Sequence, residues 1–594
     1  MPDVRRLAAR RYSCPCAEYV PDTPGGCKWQ HVREEGSAGD EGEGGKVRRA
    51  ASFDAGQVLC RVPTRSLQND SLGLAFVHTS AMHRVTCCVM ASAPVPERLV
   101  TPPLNLMLPT PFDLKDQLRL VCERACDRAA AYGRPVVAGV VWDVPVTQQT
   151  ALSLVAKAQA DDYAVFWRNS DHTLTFAGLG PLWVLRTAGE GRFEALGTAA
   201  RELLGNGLWH GPADAPLPRV WAGFTFHAPH VATERWAGFA GSEGVLHRFS
   251  VQCGSEGTWA RVSELVTADT SPDVWASTLL QQFESLWQPN GRADVRPDAP
   301  LDLTPLHALM ARADRSAEHF VAGVERVLPR IEAGEVTKVV LARCALYRVA
   351  ADFTPQHALH TLCERFSDCT VYGFGYPGEL FAGATPERLL VRKGHTLRTM
   401  ALAGSARRGD DSHGDQALRQ SLLDSSKDRS EHGIVVDTVV GALRQAGAQA
   451  VQLTGPEVVT LPNIHHLRTR IEATLTDPDA ALLALATLHP TPAVCGEPRD
   501  AAARIIAEVE DLDRGWYAAP VGWFDGAGDF AFVVALRCGL FYPPFAVLFA
   551  GAGIVAGSEP EAELAETEVK LGAMRDALLL KPFLLHEHGG LDDV

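Results

Sequence analysis

No uninterrupted apolar run of roughly 18 or more residues, the length a membrane helix needs, occurs in the chain of 594 residues. A soluble protein with no membrane span is therefore expected. Positive charge is also scarce: 56 Lys and Arg stand against 71 Asp and Glu, a formal net charge of -15. A general nucleic-acid binder would show a basic surface, so no nucleic acid is expected as a partner. An anionic substrate would need local cations or a metal to offset the field. Fourteen cysteines are present but never as a C-x-x-C pair, which excludes a zinc cluster or disulfide scaffold of that kind and suits a reducing compartment. There is no tandem repeat. What remains, 46% apolar and 21% charged residues, is globular composition, long enough for two lobes or one large domain with extensions.

Residues 1–55 differ from the rest. MPDVRRLAARRYSCPC is arginine-rich and EEGSAGDEGEGGKVRRA has almost nothing to bury, so a disordered or targeting extension is expected. Transit peptides are poor in acids, and Asp3, Glu18 and Asp22 count against one. The expected location is the cytoplasm, or a plastid if the extension is a transit peptide. Residues 56–300 mix short strands and helices. Leu114, Leu118, Val121, Cys122, Ala125 and Ala129 predict an amphipathic helix within 113–133, and PVVAGVVWDVPV predicts a buried strand. FAGLGPLWVLRTAGEGRFEAL predicts a hairpin turning at Gly189–Gly191. The Pro/Asp/Gly-rich stretch 287–304 is a connecting loop. Chemistry-bearing motifs concentrate in 301–582, and 583–594 is a tail.

In the stretch from Gly551 to Leu571, Ser558 and Glu561 predict a capping box opening a helix, with Pro560 in its first turn. Glu563, Glu566 and Lys570 then share one helix face. A second acid pair, Asp428 and Glu431, lies on a helix whose packed side is expected at Ile434, Val435, Thr438 and Val439. Two such helices facing each other would hold a hard divalent cation through carboxylate oxygens. Charged residues are mostly exposed, so each pair taken alone reads equally as solvated surface.

Lys338 opens an apolar strand, where partial desolvation favours a neutral amine able to act as a base; a lysine snorkelling to solvent is the simpler reading. Glu387 follows Thr385 and Pro386, and proline fixes the backbone that carries the carboxylate. In LRTMALAGSARRG, Gly404 and Ser405 offer backbone amides to an anion beside Arg407 and Arg408, or form a plain surface loop. His466 alone reads as a core histidine, and Ala493 is small enough to admit a ligand in a Pro-rich turn between two helices. RGWYAAPVGWFDGAGDFAFVVALRCGLF predicts a hairpin whose strand presents Arg537, to be paired with an acid or a substrate carboxylate.

In this order, KVVLAR, FAGATPERLL, LAGSARRG, KDRSEH, HHLRT, LHPTPAV and AGAGIV resemble the chorismate-utilising enzyme family, and its isochorismate synthases most. The resemblance is strong over 300–575 and weak over 70–290. It implies an α+β fold, a large antiparallel-sheet sandwich flanked by helices, in which both halves can form one domain. It further implies chorismate as substrate and Mg2+ as cofactor, with water added at C2 while the C4 hydroxyl leaves. Lys338 then matches the base that activates water and Glu387 the acid that protonates the leaving group. Glu431 and Glu566 match metal ligands, with Glu563 and Asp428 in the acidic shell. Arg537 and Lys570 match groups that hold substrate carboxylate, and Gly404, His466, Ala493 and Gly553 match pocket-lining positions. A monomer without a glutaminase partner is expected, because Lys338 disfavours the ammonia-using branch. The product would serve menaquinone, phylloquinone, siderophore or salicylate biosynthesis. A salicylate synthase, which goes on to eliminate pyruvate, is the alternative, and a non-catalytic binding subunit is a third reading. Ala518, Ala519 and Cys495 stand where glycine is commoner in the family.

Overall fold

The computed structural model describes residues 58–63, 72–77, 97–100 and 111–582, apart from 159–161, 229–233, 240, 288–315, 351–352, 377, 410, 461–463 and 511. The expected extension 1–55, the tail 583–594 and nearly all of the 287–304 loop lie outside the described residues. The chain divides into two units, Met1–His78 and Thr79–Val594. In the first, strands Val58–Pro63 and Leu72–Val77 pair antiparallel.

The second unit is α+β, and strands from both sides of residue 300 interleave within one antiparallel ladder. Arg219–Gly223 pairs with Pro520–Asp525, and Ala164–Arg168 pairs with Thr370–Tyr376. Beyond Thr370–Tyr376 the order continues through Glu379–Thr385, Cys538–Tyr542 and Phe545–Val555 to Lys338–Arg348. Beyond Pro520–Asp525 it continues through Phe530–Val534, Arg388–Lys393 and Thr396–Arg407 to Ile464–Thr474. Parallel pairing is local, joining Leu208–Gly211 to Glu97–Val100 and Val136–Asp143. The large antiparallel sheet system flanked by helices is the architecture expected from the resemblance.

The helix Pro111–Tyr132 buries all six apolar positions named for it. The strand Val136–Asp143 is buried except at its last residue, because it pairs on both edges. One apolar core runs through both halves, containing Leu118, Phe166 and Phe249 together with Val371, Leu548 and Met574. Trp236 stacks on Phe549 at 5.6 Å and meets Phe381 at 5.5 Å, so the first half packs against the strands that carry the site.

Three local expectations are corrected. Leu174–Thr187 is one long strand and Arg192–Gly205 is a helix, so Gly189–Gly191 is a strand-to-helix turn rather than a hairpin. Glycines serve both kinds of turn, and RFEAL has the apolar spacing of a helix. The Pro560–Ala577 helix is capped by Glu559 without a side-chain bond. Ser558 instead donates to Glu563 Oε1 at 2.7 Å and accepts from the Val555 amide, so there is no capping box with Glu561. On the Ser426–Gln445 helix Thr438 is exposed, its hydroxyl donating to the Ile434 carbonyl at 2.9 Å. The packed side is His432, Val435, Val439 and Leu443, with Ile434 only partly buried.

Candidate active site

Lys338 is the first residue of the Lys338–Arg348 strand and is 5% exposed. Its register partners are Glu497 on one edge and Val555 on the other, which fix where its side chain leaves the sheet. The ammonium donates to Glu431 Oε1 at 2.6 Å, joining the strand to the Ser426–Gln445 helix. Close approach is possible because Gly553 has no side chain: a Cβ there would lie 2.8 Å from Lys338 Cε.

Glu387 sits just before the Arg388–Lys393 strand. Its amide donates to Thr385 Oγ1 at 3.2 Å and its carbonyl accepts from the Val534 amide at 3.0 Å, so the backbone is held on both sides. Burial pushes its carboxyl up to about 7, outweighing the opposing pull of Lys338, Arg537 and Lys570. A carboxylic acid that remains half-protonated near neutrality can give a proton to a leaving group.

Gly404 is not in a surface loop. The Thr396–Arg407 strand is continuous, and Gly404, at φ 79°, is a bulge where the pairing with Ile464–Thr474 shifts by one residue. A positive φ in mid-strand is where glycine is at ease. The bulge brings Ser405 Oγ within 2.9 Å of His466 Nδ1, while the Gly404 carbonyl lies 3.3 Å from the same nitrogen. Burial first, then Arg537 and Lys570, pull His466 down to about 3, so the ring is neutral.

Arg537 is not on a strand. It falls between Phe530–Val534 and Cys538–Tyr542 at φ 46°, and its carbonyl accepts from the Ala384 amide at 3.0 Å. Its guanidinium lies 3.5 Å from His466 Nε2. Lys570 donates to the Gly551 carbonyl at 2.7 Å and pairs with Glu566 at 2.6 Å, an i,i+4 contact that holds the Glu566 carboxyl below its usual range.

Ten of the twelve site residues implied by the resemblance line one cavity, of about 620 Å³ counted out to its open mouth: Lys338, Glu387, Gly404, Glu431, His466, Ala493, Arg537, Gly553, Glu566 and Lys570. Glu563 and Asp428 are not on its wall. Glu563 is engaged by Ser558, with burial holding its carboxyl above the usual range. Asp428 occupies the first turn of its helix, its amide donating to the capping Ser425 hydroxyl at 3.2 Å. Val340, Leu402 and Ala403 also line the cavity, and apart from strand periodicity at Val340 no sequence signal singles them out as site residues. Val340 was open to inference, since two residues along a strand return to the same face as Lys338.

Among the described residues no group of three or more His, Cys, Asp and Glu gathers closely enough to hold a metal. Glu431 and Glu566 nevertheless bring hard oxygen donors to the cavity from two helices. A Mg2+ ion is commonly held by one or two carboxylates together with substrate oxygens and water, and this donor set fits that mode.

The model of the chorismate binding enzyme family matches residues 124–579. The chain belongs to that family. It is 36% identical over 488 residues to the salicylate biosynthesis isochorismate synthase of Pseudomonas aeruginosa, covering 80% of this chain and 96% of that protein. It is 29% identical over 426 residues to the isochorismate synthase MenF of Bacillus subtilis, covering 70% of this chain and 87% of the relative. Its fold resembles that of MenF, the menaquinone-specific isochorismate synthase of Escherichia coli, with TM-score 0.58 and 24% identity over 77% of this chain and 99% of the other. Anthranilate synthase component I from Streptococcus pneumoniae shares the fold at TM-score 0.53 and 20% identity, covering 68% of this chain and 92% of that one.

Proposed function

We propose that this family member is an isochorismate synthase, which adds water at C2 of chorismate and expels the C4 hydroxyl. The observation that carries the proposal is the pairing, in one cavity, of Lys338 with a Glu387 carboxyl raised by burial to about 7. Base and acid must act on the two ends of one displacement, and burial leaves Glu387 the proton that the departing hydroxyl needs. Lys338, once released from Glu431 and having given up its ammonium proton to solvent, takes one from the attacking water. Arg537 and Lys570 offset substrate carboxylate charge, and the neutral His466 offers a hydrogen bond without adding a cation. Glu431 and Glu566 would hold Mg2+, which would supply the remaining positive charge. The names of the relatives support isochorismate as the product, with salicylate or menaquinone biosynthesis as its destination.

The test is incubation of purified protein with chorismate and Mg2+, resolving isochorismate, salicylate, anthranilate and pyruvate. Isochorismate without pyruvate is expected. Pyruvate and salicylate formed together would assign the salicylate synthase reaction instead, and no conversion at all would overturn the enzymatic reading.

A further inference from the structure

The Lys338–Arg348 strand has a second cavity beside it, distinct from the one above, and its lining points to a ligand. Counted out to its open mouth it measures about 460 Å³, and it is bounded by Arg235, by His319 and Phe320 of the Ser316–Glu332 helix, by Leu341 and Arg343 of the strand, and by Glu510.

Its charge is unbalanced. The Nε and Nη1 atoms of Arg235 are buried and have no hydrogen-bond partner in the protein. A buried donor without a partner is costly, and a charged one more so, unless something supplies the acceptors. Arg343 gives Nη1 to Thr567 and Glu568 but leaves its buried Nε unbonded. The acid in the lining is already committed: Glu510 accepts from Arg514 through both oxygens, at 2.7 and 2.6 Å, and from the Ala342 amide at 2.8 Å. The free charge in the cavity is therefore positive.

Apart from His319, the rest of the wall is apolar. Phe320 and Leu341 are buried, and Gly323 keeps the floor open, since a Cβ there would lie 3.3 Å from both Leu341 Cδ1 and Val509 Cγ1. A carboxylate can accept a charge-assisted hydrogen bond from an unpaired guanidinium donor, while an aromatic body fills the apolar part. We propose that this cavity is a binding site for a small aromatic carboxylate, held by Arg235 and seated against Phe320 and Leu341, and that its occupancy alters turnover in the neighbouring active site.

A physical link exists. Glu510 lines this cavity, and its partner Arg514 donates to the Val340 carbonyl at 2.8 Å and to the Val494 carbonyl at 2.9 Å. Val340 lines the active-site cavity next to Lys338. One buried ion pair thus joins the lining of this cavity to the backbone of Val340, so an anion arriving beside Glu510 bears on the strand that carries Lys338.

The test uses benzoate as probe and the full chain, with binding followed by calorimetry and conversion of chorismate followed separately, so that the binding result stands whatever the reaction product proves to be. Saturable binding of benzoate is expected, weakened at least tenfold in Arg235→Gln and in Gly323→Leu, which fills the floor. Benzyl alcohol, which lacks the carboxylate, should not bind. The change in chorismate turnover should follow the same benzoate concentration dependence and vanish in Arg235→Gln. Absence of saturable binding would overturn the proposal, as would binding that is unchanged in both variants. A turnover effect that persists in a folded Arg235→Gln protein would place benzoate in the active site instead, and binding with no change in turnover would overturn the link.

Discussion

Lys338 Nζ and Glu431 Oε1 meet at 2.6 Å although 93 residues separate them in the chain. The strand residue is nearly buried and the helix residue half-buried, so the pair fixes the amine at the cavity wall. Replacing Lys338 with Ala removes the proposed base while the strand keeps its register. Turnover of chorismate should fall by about 10²- to 10⁴-fold, the usual worth of a positioned proton-transfer group. Circular dichroism should confirm the fold, and chorismate binding should persist through Arg537 and Lys570. A folded Lys338→Ala protein with near-normal conversion would reduce this lysine to a structural ion-pair partner.

Gly553 gives a finer probe of the same position. A methyl group there would lie 2.8 Å from Lys338 Cε and 3.3 Å from Nζ, so Gly553→Ala must push the lysine off its place. Its backbone does not need glycine, because Gly553 is not among the positive-φ residues. The melting temperature should therefore change little while turnover drops on the order of 10²-fold, since small misplacements of a reacting group are costly. Equal losses of stability and activity would show that the glycine serves packing alone.

The sequence was readable wherever a local pattern decided the outcome. The helix Pro111–Tyr132 follows from its apolar spacing, and the buried strand Val136–Asp143 from a continuous apolar run. Reading failed where one local signal serves two structures: Gly189–Gly191 suits a hairpin or a helix entry, and Ser558 with Glu561 mimics a capping box while the hydroxyl in fact goes to Glu563. Arg537 was placed on a strand because its neighbours are apolar, yet it sits at φ 46° in the break between two strands. The site residues were named through the family resemblance, each motif being ambiguous alone. The Lys338–Glu431 pair and the bulge that aims Ser405 at His466 depend on partners distant in sequence, and no spacing rule reveals them.

Glu387 makes a pH prediction with a definite sign. Its carboxyl titrates at about 7 when folded, against an ordinary value of 4.5. Between these values the folded state holds the proton and the unfolded state has lost it, so stability from this residue is present at low pH and declines as pH rises to about 7. The difference is worth about 3 kcal/mol. Glu387→Gln, which cannot ionise, should gain stability relative to the parent protein between pH 5 and pH 8, measured by urea unfolding at each pH. The same variant should lose about 10²- to 10⁴-fold in turnover, and the parent's turnover should fall as pH rises through about 7. A pH-independent difference in stability would mean that Glu387 ionises normally.

His466 acts in the opposite direction. Its ring titrates at about 3 when folded against an ordinary 6.5, so below 6.5 the unfolded chain gains a proton that the folded protein refuses. Its contribution is full above 6.5 and is lost as pH falls toward 3. Glu387 and His466 therefore tilt stability in opposite senses between 4.5 and 6.5, and the parent protein alone separates neither. His466→Gln keeps hydrogen-bonding capacity toward Ser405 and removes the titration. It should lose less stability than the parent on going from pH 6.5 to pH 4.5, and an unchanged slope would place the His466 titration elsewhere.

The metal prediction follows from charge. The chain carries a formal net charge of -15, and its substrate is proposed to be anionic. In the cavity the two proposed metal ligands each face a lysine, Glu431 with Lys338 and Glu566 with Lys570, both at 2.6 Å through Oε1. The lysines alone therefore leave little free positive charge for substrate. Glu431 and Glu566 would hold a Mg2+ ion, whose charge would restore the balance and leave Lys338 free for proton transfer. Conversion of chorismate should vanish in excess EDTA and return with added Mg2+. Glu566→Gln should raise the Mg2+ concentration needed for half-maximal conversion at least tenfold while the melting temperature without metal stays near that of the parent. Full turnover in excess chelator would remove Mg2+ from the mechanism and leave Arg537 and Lys570 as the cations facing the substrate.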